Sequence, residues 1–108
     1  MPLGETISAA RKKLGYSQKE LAGRLMKDEG GAISAQYLND IEHDRRQPSS
    51  ESLLRRLAEV LEIPIEVLLY QVGQLPADVR GQNASAERIQ EAYSAFRRSL
   101  LGAGGASN

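Results

Sequence analysis

The chain has 108 residues, which is enough for one compact domain and too few for two ordinary ones. Its 14 Lys and Arg residues balance 14 Asp and Glu residues, so any nucleic-acid binding must arise from a local arrangement of charge rather than from net charge. The sequence has no cysteine, which excludes disulfides and thiolate metal sites. It shows no charged-then-apolar segment at its N-terminus and no apolar run of membrane-spanning length, so we expect a cytoplasmic protein.

Two short helices are predicted near the start of the chain. Aromatic residues make up 5% of the sequence and the other apolar residues are mostly aliphatic, which favours an all-α fold. The first helix ends at Gly15 and has an apolar stripe at helical spacing, formed by Leu3, Ile7, Ala10 and Leu14. Ser17 and Glu20 form a Ser-x-x-Glu capping box that begins the second helix. Its predicted buried residues are Leu21, Ala22 and Leu25.

A charged segment with paired glycines separates the second helix from the third, and we predict a loop over residues 28–32. Ser34 can cap a third helix over residues 35–43, in which Leu38 and Ile41 face inward. The opposite face is polar and carries two amides, and it consists of Gln36, Asn39, Asp40 and His43. An amide presents a donor and an acceptor in one plane, as is needed to read adenine in the major groove, although a merely solvated helix face is the alternative interpretation.

Two more helices complete the predicted bundle. After a connection at residues 45–48, Ser49 or Ser50 caps the fourth helix. Pro64 lies in the first turn of the fifth helix, which ends at Gly73. The apolar residues at helical spacing are Leu53, Leu54, Leu57, Val60 and Leu61 in the fourth helix, and Ile65, Leu68, Leu69 and Val72 in the fifth.

The composition changes after Gly73. Residues 74–84 have the composition of a linker with one helical turn, residues 85–101 are predicted to form a sixth helix, and residues 102–108 are expected to be a disordered tail. The sixth helix has a seam at heptad spacing, formed by Ile89, Tyr93, Phe96 and Leu100. This seam either folds back on its own bundle or packs against a second chain. We favour a homodimer, because the bundle already buries its own stripes.

Three segments, LGYSQKELAGRL, ISAQYLNDIEHDRRQPS and LLRRLAEVLEIPIEVLL, occur in the order of the landmarks of one family. They resemble the XRE, or Cro and lambda-repressor-like, helix-turn-helix family, from Leu3 to about Tyr70. The resemblance implies a five-helix lambda-repressor-like DNA-binding bundle over residues 1–73, extended here by the C-terminal helix over residues 85–101. Most members are homodimeric transcriptional regulators that bind palindromic operators, with the third helix in the major groove.

The resemblance also implies a DNA-binding surface. Gln18 would set an amide against the DNA backbone, and Arg45 and Arg46 would hold phosphates. Arg11 and Glu42 match a structural ion pair inside the family's bundle. The DNA-binding residues implied in this way are Ser17, Gln18, Lys19, Ser34, Ala35, Gln36, Tyr37, Asn39, Asp40, Arg45 and Arg46.

Two features depart from the family pattern. Seven residues separate Leu25 from Ile33 where the family's turn usually has one or two, so either the second helix is longer or the loop protrudes. Asp40 stands where relatives often carry Arg or Gln. A carboxylate near phosphates costs affinity unless it accepts a hydrogen bond from cytosine N4 or orients Arg45.

We therefore expect a sequence-specific regulator of transcription that acts as a repressor and whose partners are double-stranded DNA and a second copy of the chain. A phage-type repressor, an antitoxin and a restriction-modification controller fit equally well. The alternative is a protein-interaction adaptor, or an antitoxin-type partner-binding protein, whose seam binds a different protein. No nucleophile with a base, phosphate-binding loop or metal-ligand spacing is present, so we expect no enzyme, cofactor or metal.

Overall fold

The computed structural model describes residues 2–106, and beyond Gly102 it describes the backbone alone. This part of the chain is all-α, as predicted, with a single isolated β-bridge. The described residues divide into two compact units, 2–76 and 77–106. The helices are α1 Leu3–Lys13, α2 Gln18–Gly23, α3 Ala35–Glu42, α4 Glu51–Leu61, α5 Ile65–Val72, α6 Ala77–Arg80 and α7 Ala86–Ala106.

The first unit packs α1 to α5 around one aliphatic core. Each fully buried Leu or Ile side chain contributes about 1.5 to 3 kcal/mol relative to an exposed one. Leu14 was predicted to belong to this core but is 37% exposed, because α1 ends at Lys13 and Leu14 is its C-cap. The buried apolar residues are Leu3, Ile7, Leu21, Ala22, Leu25, Ile33, Leu38, Ile41, Leu53, Leu54, Leu57, Ala58, Leu61, Leu68 and Leu69.

Serine caps begin three helices of this unit. The Ser17 hydroxyl accepts from the Glu20 backbone N–H at 3.0 Å, and the Glu20 carboxylate accepts from the Ser17 N–H at 2.9 Å, which completes the predicted capping box. Ser34 caps α3, and Ser50 rather than Ser49 caps α4. Each such cap contributes about 1 kcal/mol, so the sequence marks these helix starts locally.

The enlarged turn between α2 and α3 closes on itself. Helix α2 is not lengthened and ends at Gly23. The Ile33 N–H donates to the Leu25 carbonyl at 2.9 Å, and Met26 forms the antiparallel bridge with Ala32. The extra residues therefore protrude as a small loop whose two ends meet, and both ends are held in the core by buried apolar side chains.

This loop is also held against α4. The Asp28 carboxylate accepts from the Ser52 hydroxyl at 2.9 Å and forms an ion pair with Arg56 at 3.2 Å. Arg56 donates in addition to the Met26 carbonyl at 2.6 Å. The hydrogen bond from Ser52, followed by that from Arg56, lowers the pKa of Asp28 below its ordinary value. The loop therefore has a defined place on the bundle.

The second unit contains α6 and the long helix α7. Ser85 caps α7 by accepting from the Arg88 N–H at 3.2 Å. We predicted a helix to residue 101 and a disordered tail over residues 102–108. The structure instead has a break at Gly102, with φ 77° and ψ 166°, followed by helical backbone to Ala106. Glycine tolerates this φ, so a helix can resume after the break. Residues 107–108 lie outside the described residues.

Candidate nucleic-acid interface

Helix α3 presents its polar face away from the core. Leu38 and Ile41 are completely buried beneath it, whereas Gln36 and His43 are exposed. Asn39 is partly exposed at the flank of this face. This is the orientation that the helical spacing predicts. A short helix held from below by two buried side chains is a rigid platform for the polar groups above.

The residues expected at the starts of α2 and α3 are two helix caps, two exposed residues and Gln18, which links the helices. The hydroxyls of Ser17 and Ser34 accept from backbone N–H groups as caps. Lys19 and Ala35 are exposed and make no such contact. The two helices meet through Gln18, whose Nε2 donates to Oδ1 of Asn39 at 3.1 Å. The cap residues thus position the surface, while the exposed ones remain available to a ligand.

Arg11 and Glu42, expected to form an internal ion pair, are joined by two hydrogen bonds. Arg11 Nε lies 2.7 Å from Glu42 Oε2, and Arg11 Nη2 lies 3.0 Å from Oε1. The Arg11 side chain is 11% exposed and that of Glu42 is 3% exposed. Arg11 also donates to the Tyr16 carbonyl at 2.9 Å. The pair thereby joins α1, the turn after it and the end of α3.

The environment of Glu42 has opposing effects on its pKa. Burial is the largest influence and raises the pKa. The hydrogen bonds from Arg11 and then Gln18, together with the Arg11 charge, outweigh burial and hold the pKa of Glu42 below its ordinary value. The carboxylate is therefore ionised at neutral pH and can act only as a hydrogen-bond acceptor.

The resemblance led us to expect the amide of Gln18 against the DNA backbone. In the structure its amide nitrogen faces inward. Its Nε2 donates both to Oε1 of Glu42 and to Oδ1 of Asn39, each at 3.1 Å. An amide nitrogen has two hydrogens, so both are used inside the bundle. The remaining polar atom of the Gln18 side chain is an oxygen, which cannot donate to a phosphate. A contact between Gln18 and a DNA backbone remains a prediction and would require this network to rearrange.

A second polar cluster lies on the exposed face of α3. Oδ1 of Asp40 accepts from Gln36 Nε2 at 3.1 Å and from Arg45 Nε at 3.1 Å. The Arg45 side chain is 54% exposed, so its ion pair with Asp40 adds at most about 1 kcal/mol to stability. The contact between Asp40 and Arg45 is the geometry that the role of orienting Arg45 requires.

At Arg45 and Arg46 the loop after α3 offers side chains rather than backbone donors. The N–H groups of Arg45 and Arg46 both donate to the Asp40 carbonyl, at 2.9 and 3.3 Å. The Arg46 guanidinium lies over the Tyr37 ring, 4.6 Å from its centroid, and the Tyr37 hydroxyl donates to the Gln47 carbonyl at 3.2 Å. Stacking leaves the charge of Arg46 at the surface, where Arg45 is exposed as well.

Sequence reasoning missed the contact between the start of α1 and the end of α3. Asp44 has a left-handed backbone, with φ 57°, and its carboxylate accepts from the Gly4 N–H at 3.0 Å. A Cβ atom at Gly4 would overlap the carbonyl oxygen of Glu42. The available signal was a glycine in the first turn of a helix, a costly choice that indicates a close backbone approach.

Other kinds of site receive no support from residues 2–106. Within this range no group of three or more His, Asp or Glu side chains could hold a metal ion. The same residues include no helix both long and apolar enough to cross a membrane. The candidate site is the polar face of α3 together with the basic loop beside it, as their exposure indicates.

Comparison with known sequences agrees with this geometry. The sequence profile described as helix-turn-helix matches residues 7–68. Over 95 residues the chain is 30% identical to the transcriptional regulator ClgR of Mycobacterium tuberculosis, in a match covering 88% of this chain and 72% of ClgR.

Three solved structures are similar as well. The crystal structure of SinR, the master regulator for biofilm formation, in complex with DNA has 30% identity and a TM-score of 0.51, covering 62% of this chain and 97% of that chain. The N-terminal DNA binding domain of SinR from Bacillus subtilis has the same identity and TM-score, covering 62% and 88%. A SinR–SinI complex has 25% identity and a TM-score of 0.53, covering 90% and 98%.

Proposed function

The chain belongs to the helix-turn-helix family of DNA-binding transcriptional regulators of the XRE type, and from this premise we propose that it represses transcription by occupying a palindromic operator as a homodimer. The observation that carries the proposal is the polar face of α3, which is exposed, rigidly supported and flanked by Arg45 and Arg46. An α-helix of this kind fits the major groove of B-DNA.

The contacts divide by chemistry into base readout and backbone binding. Gln36 and Asn39 carry amides that can reach base edges, with Ala35 beside them at the start of the helix. Four residues would contact phosphate or sugar: Tyr37, on α3 itself, and Lys19, Arg45 and Arg46, outside it. With zero formal net charge, the chain is expected to bind non-specific DNA weakly, so specific contacts and dimerisation must supply the affinity.

Helix α7 supports the homodimer. Its four seam residues Ile89, Tyr93, Phe96 and Leu100 are 43–54% exposed and repeat at the heptad spacing. Large apolar side chains in a row on one helix are stabilised when a second helix covers them. A two-fold symmetric dimer reads the same half-site twice, which is why a palindromic operator follows from it.

The test is retention of genomic DNA by the immobilised full-length chain. We expect binding of many fragments at low salt and of a small set at higher salt, because specific contacts add to the salt-sensitive phosphate contacts. A reporter gene downstream of a retained fragment should lose expression when the chain is produced. Failure to retain any genomic fragment at low salt contradicts DNA binding, and an unchanged or raised reporter signal contradicts repression.

A protein partner is the second candidate function. The exposed seam of α7 favours it. In the similar SinR–SinI structure the two proteins form a complex, and the match to it covers most of this chain. If the chain acts mainly as an adaptor, changing Gln36 and Asn39 together to Ala will leave its complexes undiminished. If it acts through DNA, the same change abolishes its effect on the reporter.

A further inference from the structure

The two amides of α3 make opposite hydrogen bonds inside the molecule: Asn39 accepts from an NH₂ group, whereas Gln36 donates to a carboxylate. This difference determines which group each amide offers to a base. An amide side chain can turn by 180° and exchange its oxygen for its NH₂ group, so an isolated Asn or Gln offers DNA either a donor or an acceptor. A neighbour that can only accept removes this freedom, because it must face the NH₂ group. Ionised carboxylates are such neighbours, and one stands behind each of the two amides.

Glu42 fixes Asn39 through Gln18. The Glu42 carboxylate, held by two hydrogen bonds from Arg11, accepts from Nε2 of Gln18 at 3.1 Å. The second hydrogen of that nitrogen goes to Oδ1 of Asn39, also at 3.1 Å. The oxygen of Asn39 is thereby turned inward. Its Nδ2 has no hydrogen-bond partner within residues 2–106, and Asn39 is partly exposed.

Asp40 fixes Gln36 directly and in the opposite sense. Its Oδ1, paired with Arg45, accepts from Nε2 of Gln36 at 3.1 Å. The oxygen of Gln36 is left without an intramolecular partner in the part of the chain that the structure describes. Gln36 is exposed, so this oxygen is available to a ligand as an acceptor.

We infer that α3 offers DNA a donor at Asn39 and an acceptor at Gln36, so that Asn39 reads a keto base, G or T, and Gln36 reads an amino base, A or C. In the major groove, O6 of guanine and O4 of thymine accept, whereas the amino groups of adenine and cytosine donate. N7 of either purine also accepts, so the assignment of Asn39 to a keto base commits its donor to O6 or O4. The inference rests on the proposed function, since it assigns base classes to the same surface. It makes Glu42, Gln18 and Asp40 positioning residues that set specificity without touching a base.

The decisive variant is Asn39→Asp, which keeps the size of the side chain and an oxygen for Gln18 to donate to. It replaces the outward donor with an acceptor. Every base pair contains one keto and one amino base, so the preferred pair at one position of each half-site should invert, with a change in relative affinity of about tenfold. The measurement is selection of bound duplexes from a random pool by the full chain, followed by titration of the two inverted sites.

Gln74→Glu is the matched control for Asn39→Asp, because it changes charge equally at an exposed residue after α5. We expect it to leave the selected sequence unchanged. A profile of Asn39→Asp that is unchanged, or flattened without inversion, overturns the inference. If Asn39→Asp does not fold, Asn39→Ala replaces it and should abolish the preference at that position, and persistence of the preference overturns the inference.

Asp40→Asn tests the second amide. Asparagine at position 40 can face Gln36 with either group, so Gln36 can turn, and the preference at its base should fall from about tenfold to about threefold or less. Arg45→Met is the control, because it removes the ion pair and leaves the contact between Asp40 and Gln36. An equal loss in Arg45→Met assigns that base to Arg45 and overturns the role of Gln36.

The two levels of the proposal fail differently. If the unaltered chain selects no sequence from the pool, the proposed function fails. If it selects a site that Asn39→Asp and Asp40→Asn leave unchanged, DNA recognition stands and the assignment of donor and acceptor fails.

Discussion

Replacing Arg11 with Met leaves the buried carboxylate of Glu42 without its ion-pair partner. The Glu42 side chain is 3% exposed, and in the variant it would keep the hydrogen bond from Gln18. Removing one partner of a buried ion pair costs about 3 to 5 kcal/mol. We expect the lower end, about 3 kcal/mol, because the Arg11 side chain is 11% exposed and water can partly replace it.

The loss should depend on pH in a defined direction. In the intact chain the pKa of Glu42 lies below its ordinary value of 4.5, so the pair stabilises the fold above that pH. This stabilisation is lost as the pH falls through the lower pKa of the folded state. In Arg11→Met, burial would raise the pKa of Glu42 above its ordinary value. Protonation of Glu42 at low pH would then remove the buried charge and reduce the loss of stability in the variant. The difference between the two chains should therefore shrink as the pH falls below about 5.

Urea unfolding followed by circular dichroism measures both effects. With an m-value of about 1 to 1.5 kcal/mol/M, a loss of about 3 kcal/mol lowers the midpoint at pH 7 by about 2 to 3 M. The double variant Arg11→Met with Glu42→Met should recover at least half of the loss, because no charge remains buried. A loss below about 1 kcal/mol in the single variant, or one independent of pH, would refute the reasoning.

Three further predictions concern packing, recognition and assembly. Gly4→Ala should lower the free energy of unfolding by about 1 to 3 kcal/mol in thermal unfolding, because its Cβ would overlap the backbone at the end of α3. Gly23→Ala, with open space around it, should be neutral or stabilising, and equal effects of the two changes would contradict the close approach. In binding titrations, Gln36→Ala should lose about 1 to 3 kcal/mol of binding free energy on the cognate site and relax the preference at one base position, while Arg46→Ala should lower the affinity for all sequences alike. An equal loss on every sequence for both variants would contradict the assigned roles. Deleting residues 85–108 should leave a folded monomer in sedimentation, and an unchanged dimer would show that the seam is not the interface.

The sequence predicts those parts of the fold that are encoded locally. The capping box at Ser17 and the caps at Ser34 and Ser50 mark helix starts within three residues of chain, and the apolar stripes identify the core. Leu14 shows the limit of this reasoning. Helical spacing continues through it, but α1 ends one residue earlier, so the side chain is exposed.

The site was harder to predict because its contacts join residues distant in sequence. The inward turn of Gln18 depends on Asn39 and Glu42, more than twenty residues away, and no local pattern encodes it. Asp44 reaches back forty residues to the start of α1. Asp28 holds the loop between α2 and α3 against α4 through Ser52 and Arg56, a contact that the charged composition of the loop does not specify.

The central claim is that the exposed face of α3 reads bases. It is tested most directly by selecting bound duplexes from one random pool with the intact chain and, in parallel, with the variant carrying Gln36→Ala and Asn39→Ala. We predict that the intact chain enriches one symmetrical site with half-sites roughly 10 bp apart, and that the variant, although folded, enriches none. Recovery of the same site by both proteins would contradict the account.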